Sequence, residues 1–363
     1  VNAPLRDLKT SGGQQKFEGI ETGRGIAAIL VVFYHAGHNI AEPRFFGLQP
    51  FGSHLENFNV GIDFFFVLSG FIIAWIHWQD IGQTWQLKRY ATRRFLRIYP
   101  PYWGVAVPLI IMYLLFPGAG KPSQHDPLTI AFSLALLPYV EPPVLGAAWT
   151  LVHEVLFYAI FGAIILLGRR WVFLLFVWGA LIVGAQMAEP LRFPASILLS
   201  PFNLEFLFGI AAASWIRANR LPAPWLFLLG GTACFFALML FATTIQDNSL
   251  VARLAFGLSS ACVILGLVQT ERDGHLRVSP VFRFLGAASY SIYLIHGVAL
   301  SFASQLAVRI FPKSIPLVVP LMFLVCVGIA SGLLYHVYCE KRLMGWFRRL
   351  IGQGSKEQAQ RSA

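Results

Sequence analysis

The chain has 363 residues, of which 56% are hydrophobic and only 12% charged, with 32 phenylalanines and a formal net charge of +11. A soluble domain of this size does not look like that, and the basic residues are broken up by apolar runs rather than gathered on one face. A nucleic-acid-binding role is therefore excluded as a reading of the charge.

Apolar stretches of roughly 17 to 25 residues recur along nearly the whole length, each long enough to cross the bilayer core as a helix. The opening segment VNAPLRDLKTSGGQQKF is polar and basic, without an apolar core or a cleavage site. It reads as a cytosolic tail over residues 1–17 rather than a signal peptide. A single membrane domain is expected over 18–340, followed by a basic cytosolic tail over 341–363. The predicted class is an all-α polytopic bundle of about ten transmembrane helices, near 22–38, 59–78, 99–116, 147–167, 171–187, 198–216, 224–245, 250–270, 281–309 and 315–337. Both termini then fall in the cytosol. That orientation leaves only Arg44, Lys121, Arg192, Arg253, Arg309 and Lys313 outside, so 22 of the 28 Lys and Arg lie inside. The short apolar run LTIAFSLALLPYV at 128–140 is expected as a re-entrant or interfacial helix, because counting it as a span would place Arg169, Arg170 and the cluster after Lys341 outside. The four cysteines lie in or beside apolar stretches without metal or redox spacing and read as packing residues.

Ionisable side chains inside spans cost about 2.5 to 3.5 kcal/mol each at mid-depth on insertion scales, so each needs a reason. In the first span, Arg24 and His35 are eleven residues apart, about three helical turns and roughly 16 Å of rise, and project from one face. Arg24 could equally snorkel to headgroups, and His35 could be a structural imidazole bonded to a carbonyl. In the second span, Asp63 is expected about one turn below the outer end, level with His35, where it could hold the imidazole in one tautomer; an interfacial carboxylate is the alternative. Ser69-Gly70 lies farther in, where small residues admit a close helix or a ligand.

The next segment, LKRYATRRFLRIYPPYW, reads as a cytosolic loop and helix start, with Pro100 and Pro101 opening the third span. Arg93, Arg94 and Arg97 crowd one face at spacings of three and four. Such forks suit the phosphates of a nucleotide-like donor, or the anionic lipid beside any positive-inside loop. In the fourth span Glu154 stands beside His153, Trp149 and Tyr158 at a depth expected to match His35. It could be a general base, an acceptor for a sugar hydroxyl, or a structural bond to another helix. Glu205 and His296 complete the intramembrane ionisable groups of interest, and no metal-ligand spacing is seen.

Taken in order, Arg24 with His35, GIDFFFVLSGFII at 61–73, RRFLRIYPPYW at 93–103, WTLVHEVLFY at 149–158, FLFGI at 206–210 and LGAASYSIYLIH at 285–296 resemble the acyltransferase 3 family of bacterial membrane acyltransferases. The match runs over about residues 18–340. The resemblance implies transfer of acetyl or another short acyl group from coenzyme A donors to exported or lipid-linked saccharides at the inner membrane. It further implies His35 as the central catalytic residue, which would act either as a base oriented by Asp63 or Glu154 in a direct transfer or as a nucleophile that forms a transient acyl-histidine. Arg24, Arg93, Arg94 and Arg97, with Ser69, would serve the acyl-coenzyme A donor, and no permanently bound cofactor is implied. Partners are then acyl-coenzyme A, a saccharide acceptor and membrane lipid. YHVYCEKR resembles the family's terminal signature but lacks the proline often found after its glutamate, so Glu340 receives no role. Some relatives carry a further hydrolase-like domain; the matching segments here cover the membrane domain only, and acceptor choice is expected to fall to the spans and outer loops. A proton-coupled exporter would also suit ten spans with buried charges, although no repeated halves or paired broken helices are visible.

Overall fold

The apolar runs fold into helices, as backbone that cannot hydrogen-bond to hydrocarbon must. The computed structural model describes residues 17–187, 191–241 and 249–352. Most of the expected N-terminal tail (1–16) and the end of the C-terminal one (353–363) lie outside the described residues. In chain order the helices are α1 (Glu18–Ala41), α2 (Gly61–His77), α3 (Gln86–Leu115), α4 (Pro127–Ala135), α5 (Ala148–Leu167), α6 (Phe173–Ala185) and α7 (Ala195–Leu198). They continue with α8 (Asn203–Ala218), α9 (Pro224–Phe241), α10 (Leu250–Arg272), α11 (Pro280–Ile310), α12 (Val318–Tyr335) and α13 (Lys341–Leu350). No strand occurs among the described residues.

Among the described residues, eight helical segments are long and apolar enough to cross a membrane. Two of the ten expected spans fall outside that set for different reasons. The helix over 22–38 is long enough at 24 residues, but Arg24, His35 and His38 dilute its hydropathy. The one over 171–187 is only 13 residues of α-helix behind a 3-10 turn. The run at 128–140 yields α4, nine residues or about 14 Å, which is under half the bilayer core. Phe176 and Phe241 are 77% and 81% exposed, an arrangement suited to hydrocarbon rather than water. The protein is a multi-pass membrane protein.

Small residues set the helix contacts, as expected where lipid gives no hydrophobic drive for helix association. A Cβ on Gly286 of α11 would stand 2.0 Å from the Glu21 carbonyl of α1, and one on Gly25 would meet the Gly286 backbone at 3.1 Å. Gly70 of α2 and Gly209 of α8 make the same kind of contact, with the Phe206 and Val67 carbonyls at 2.0 and 1.9 Å from their would-be Cβ atoms. The first turn of α1 has no side-chain cap of its own. Instead Glu271, near the end of α10, accepts from the Glu18 and Gly19 amides at 2.9 Å each. A carboxylate at a helix N-terminus satisfies orphan amides and complements the dipole.

Two expectations about register are corrected by the fold. The prolines do not open the third span: α3 begins at Gln86 and carries Pro100, Pro101 and Pro108 in its interior, so Arg93, Arg94 and Arg97 sit on a continuous helix rather than a loop. Tyrosines from α11 and the end of α12 bond its carbonyls, Tyr290 to Ile98 at 3.0 Å and Tyr335 to Pro101 at 2.7 Å. The second correction concerns depth. A nine-residue 3-10 helix, Gly52–Val60, precedes α2, and the apolar segment runs over His54–Asp80. Asp63 therefore lies about three 3-10 turns of chain past the segment's start at His54, not one turn past it.

Candidate active site

Arg24 on α1, Ser69 on α2, Arg94 and Arg97 on α3, Glu154 and Tyr158 on α5, and Tyr290 and Tyr293 on α11 line one cavity of about 260 Å3. Apolar walls come from Phe65 and Phe66, among others. Three guanidiniums against one carboxylate give it a positive lining. Arg94, Arg97 and Glu154 each have a support behind them. His77 at the end of α2 is buried, and its Nδ1 lies 2.7 Å from Asp80 Oδ2 while its Nε2 lies 3.3 Å from Arg94 Nη2. Because the carboxylate accepts from Nδ1, Nε2 carries the lone pair that receives Arg94, and the arginine is oriented without being neutralised. Arg94 Nε is buried without a partner. Arg97 lies over the Tyr290 ring at 5.1 Å and 4.0 Å from Glu340 Oε1. Glu340 in turn accepts from Ser291 Oγ and meets His336 Nδ1, both at 2.6 Å.

Glu154 is held by two hydroxyls on one oxygen. Ser69 Oγ donates to Oε1 at 3.0 Å and Tyr158 donates to the same atom, which leaves Oε2 for another partner. At the far end of the cavity, Tyr293 Oη lies 2.8 Å from Thr150 Oγ1 and donates to the Ala147 carbonyl at 3.1 Å, tying α11 to the start of α5.

His35 stands beyond that tie and does not line the cavity. Its ring centre is 4.9 Å from that of His296, whose Nδ1 bonds the Tyr293 carbonyl at 2.6 Å. Tyr293 is thus the side chain between the cavity and the imidazole pair, 5.7 Å from His296 by ring centres and 6.0 Å from Phe65. Parallel packing of α1 and α11, pinned at Gly25 and Gly286, brings His35 and His296 level ten residues later.

The expected pairing of Asp63 with His35 is not what the register permits. The would-be Cβ of Gly61 meets the Ala27 carbonyl at 2.4 Å and Phe64 packs on Gly23, so Asp63 lies level with the Arg24 end of α1. It is fully buried and accepts from Arg253 Nη1 at 2.6 Å, with Glu205 3.9 Å from the same nitrogen. Glu154, bonded to Ser69 one and a half turns beyond Asp63, is likewise nearer Arg24 than His35 in depth. Arg93 sits on α3 outside the cavity lining. Arg253, counted from sequence among the outer charges, is 1% exposed in the core. Nothing in its neighbours within SLVARLAFG points to a carboxylate 190 positions away. Glu340, His77, Tyr290 and Tyr293 were also missed, although the tyrosines fall inside the LGAASYSIYLIH segment. Among the described residues no group of His, Cys, Asp and Glu could hold a metal ion.

Comparison with known proteins settles the class. The family model Acyl_transf_3, described as an acyltransferase domain, matches residues 17–335. The chain belongs to the acyltransferase 3 family. It is accordingly an acyltransferase. It is 28% identical over 284 residues to the exopolysaccharide production protein ExoZ of Rhizobium meliloti, covering 73% of this chain and 84% of that one. It is 26% identical over 317 residues to the peptidoglycan O-acetyltransferase OatA of Listeria monocytogenes, covering 75% of this chain but 47% of OatA. Acyltransferase MdmB of Streptomyces mycarofaciens is 26% identical over 316 residues, with 78% and 79% covered. No solved structure matches.

Proposed function

We propose that this acyltransferase 3 member moves an acetyl or other short acyl group from cytosolic acyl-coenzyme A to a hydroxyl of an exported or lipid-linked saccharide at the bacterial inner membrane. The observation that carries the reading is the cavity itself, in which Arg24, Arg94 and Arg97 surround space beside Glu154 within an apolar bundle. Guanidinium forks recognise phosphate, and one that is oriented by a neutral histidine keeps its charge for a ligand. The names of ExoZ and OatA, an exopolysaccharide production protein and a peptidoglycan O-acetyltransferase, support a saccharide acceptor.

In this reading the end of the bundle where α1, α3 and α11 begin faces the cytosol, and the donor's phosphates meet Arg94, Arg97 and Arg24. The pantetheine arm extends along α1 and passes Tyr293, bringing the thioester to His35. His35 accepts the proton of the sugar hydroxyl as that oxygen attacks the thioester carbonyl. The carbon–sulfur bond then breaks, coenzyme A leaves as a thiolate, and the imidazolium returns the proton to sulfur. Glu154, held by Ser69 and Tyr158, fixes the far wall of the donor channel and offers Oε2 to the pantetheine amides.

Two variants test it with purified protein and acyl-coenzyme A, read as release of free coenzyme A in the presence of acceptor. His35→Ala should lower kcat by about 10^2 to 10^4, the range of a general base, at normal levels of inserted protein. Retained turnover would overturn the assignment. Replacing Arg94 and Arg97 together by Ala should raise the KM for acyl-coenzyme A at least tenfold; an unchanged donor affinity would remove the phosphate site. Flux of a saccharide across vesicles without thioester loss would mark an exporter instead.

A further inference from the structure

We propose that a second cavity, on the other face of α5 from the first, binds a neutral hexopyranose ring of the acceptor. The inference rests on the saccharide reading above and adds where the sugar is held. The cavity measures about 240 Å3, room for one ring rather than a chain, and is lined from α4, the 137–147 segment, α5 and α7. Its recognition groups are Trp149, His153, Tyr139 and Glu141.

Helical spacing separates the two cavities. Trp149, Val152 and His153 recur at three and four and face the second, whereas Thr150, Leu151, Glu154 and Tyr158 face the first. Phe66 is the shared wall. It lines the first cavity, and its ring centre is 6.3 Å from Trp149 and 6.0 Å from His153.

Chemistry selects the ligand class. Among the described residues no lysine or arginine lines the second cavity, in contrast to the three guanidiniums of the first, so a phosphate or carboxylate ligand finds no cationic partner there. Asn203, fully buried, donates through Nδ2 to the Ile197 and Leu198 carbonyls at 2.8 and 3.2 Å. Its amide is thereby fixed with Oδ1 turned to His153 Nδ1 at 3.0 Å. Nδ1 must donate, and Nε2 is left as an acceptor. An imidazole acceptor, the Glu141 carboxylate and a Tyr139 hydroxyl match sugar hydroxyls, while the Trp149 ring suits the C–H face of a pyranose.

The frame is built rather than collapsed. Asp126 caps α4 through the Thr129 amide at 2.7 Å and hydroxyl at 2.9 Å, bonds that hold its carboxyl below the usual carboxylate range. Ser133 Oγ accepts from the Val144 amide at 3.0 Å, and Gln124 Nε2 donates to the Val144 carbonyl at 3.0 Å, so the segment is pinned at Val144 through both of its backbone polar groups.

The test is a titration of lipid-nanodisc protein with methyl β-D-glucopyranoside and methyl β-D-galactopyranoside at millimolar concentrations, without acyl-coenzyme A, read by saturation-transfer NMR. At least one glycoside should bind saturably. Trp149→Ala should weaken that binding at least tenfold and Glu141→Gln, an exposed position that cannot unfold the protein, at least threefold. The Arg94→Ala, Arg97→Ala double variant and Trp225→Phe should bind as the unaltered protein does. Absence of saturable binding, or binding indifferent to both Trp149→Ala and Glu141→Gln, overturns the proposal. So does binding lost in the arginine double variant, which would seat the glycoside in the first cavity. Because no donor is present, failure of the acyl-transfer reading would show in coenzyme A release and not in this titration.

Discussion

Arg253 sits between two carboxylates in the buried core of the bundle. Asp63 Oδ2, both oxygens of Glu205, and Arg253 Nε and Nη2 are buried without hydrogen-bond partners, while the guanidinium lies 4.5 Å above the Phe202 ring. Removing one partner of a buried pair costs about 3–5 kcal/mol because it strands the other charge. Arg253→Ala should therefore lower the unfolding temperature sharply and reduce the yield of inserted protein. Glu205→Gln keeps the shape of the site and leaves Asp63 to pair with Arg253 alone, so thermal unfolding in detergent should be unchanged or shifted upward. These residues also mark the limit of sequence reading. The cost of burying a charge singled out Arg24, His35, Asp63 and Glu154 one at a time, but a partner supplied by a distant helix leaves no local trace. Ser69 beside Glu154, and Asp63 turned to Arg253 rather than to His35, could not be told apart on spacing alone.

Helix contacts were more legible than helix depths. Long apolar runs fixed the existence and order of the elements, and Ser69-Gly70 marked a close approach that α8 fills. What failed was the starting level of α2 and α3. A 3-10 segment of nine residues consumes chain at about 2 Å per residue instead of 1.5 Å, and interior prolines are tolerated when neighbouring groups attend to the carbonyls. Glycines give the test at this scale. Gly286→Ala would put a methyl 2.0 Å from the Glu21 carbonyl and part α1 from α11, with overpacking costs of typically 1–3 kcal/mol or more. Gly297, in the same helix, has nothing within 4 Å of its would-be Cβ, and Gly297→Ala should be neutral or stabilise by up to about 1 kcal/mol. Scanning fluorimetry of the pair in one detergent would show whether the glycine contact, rather than helix propensity, governs.

The start of α11 is tied to the start of α1, where Arg283 donates to Glu18 at 2.8 Å, and Phe347 of α13 packs on Phe95 and Trp103 in the body of α3. With both ends of the chain in the cytosol, as the distribution of basic residues predicts, a membrane-impermeant thiol reagent should label Gly352→Cys only in inverted vesicles and Lys313→Cys only in intact spheroplasts, each in a cysteine-free background. The grip of Glu271 on the first turn of α1 has a mechanical corollary. With its origin clamped, α1 cannot absorb an added residue by sliding. A single alanine inserted between Arg24 and His35 would turn everything beyond it by about 100°, swinging the imidazole off His296 while leaving the guanidinium untouched. With donor capture at Arg24 and turnover at His35, as proposed, a one-residue insertion should uncouple the two as cleanly as deleting the histidine.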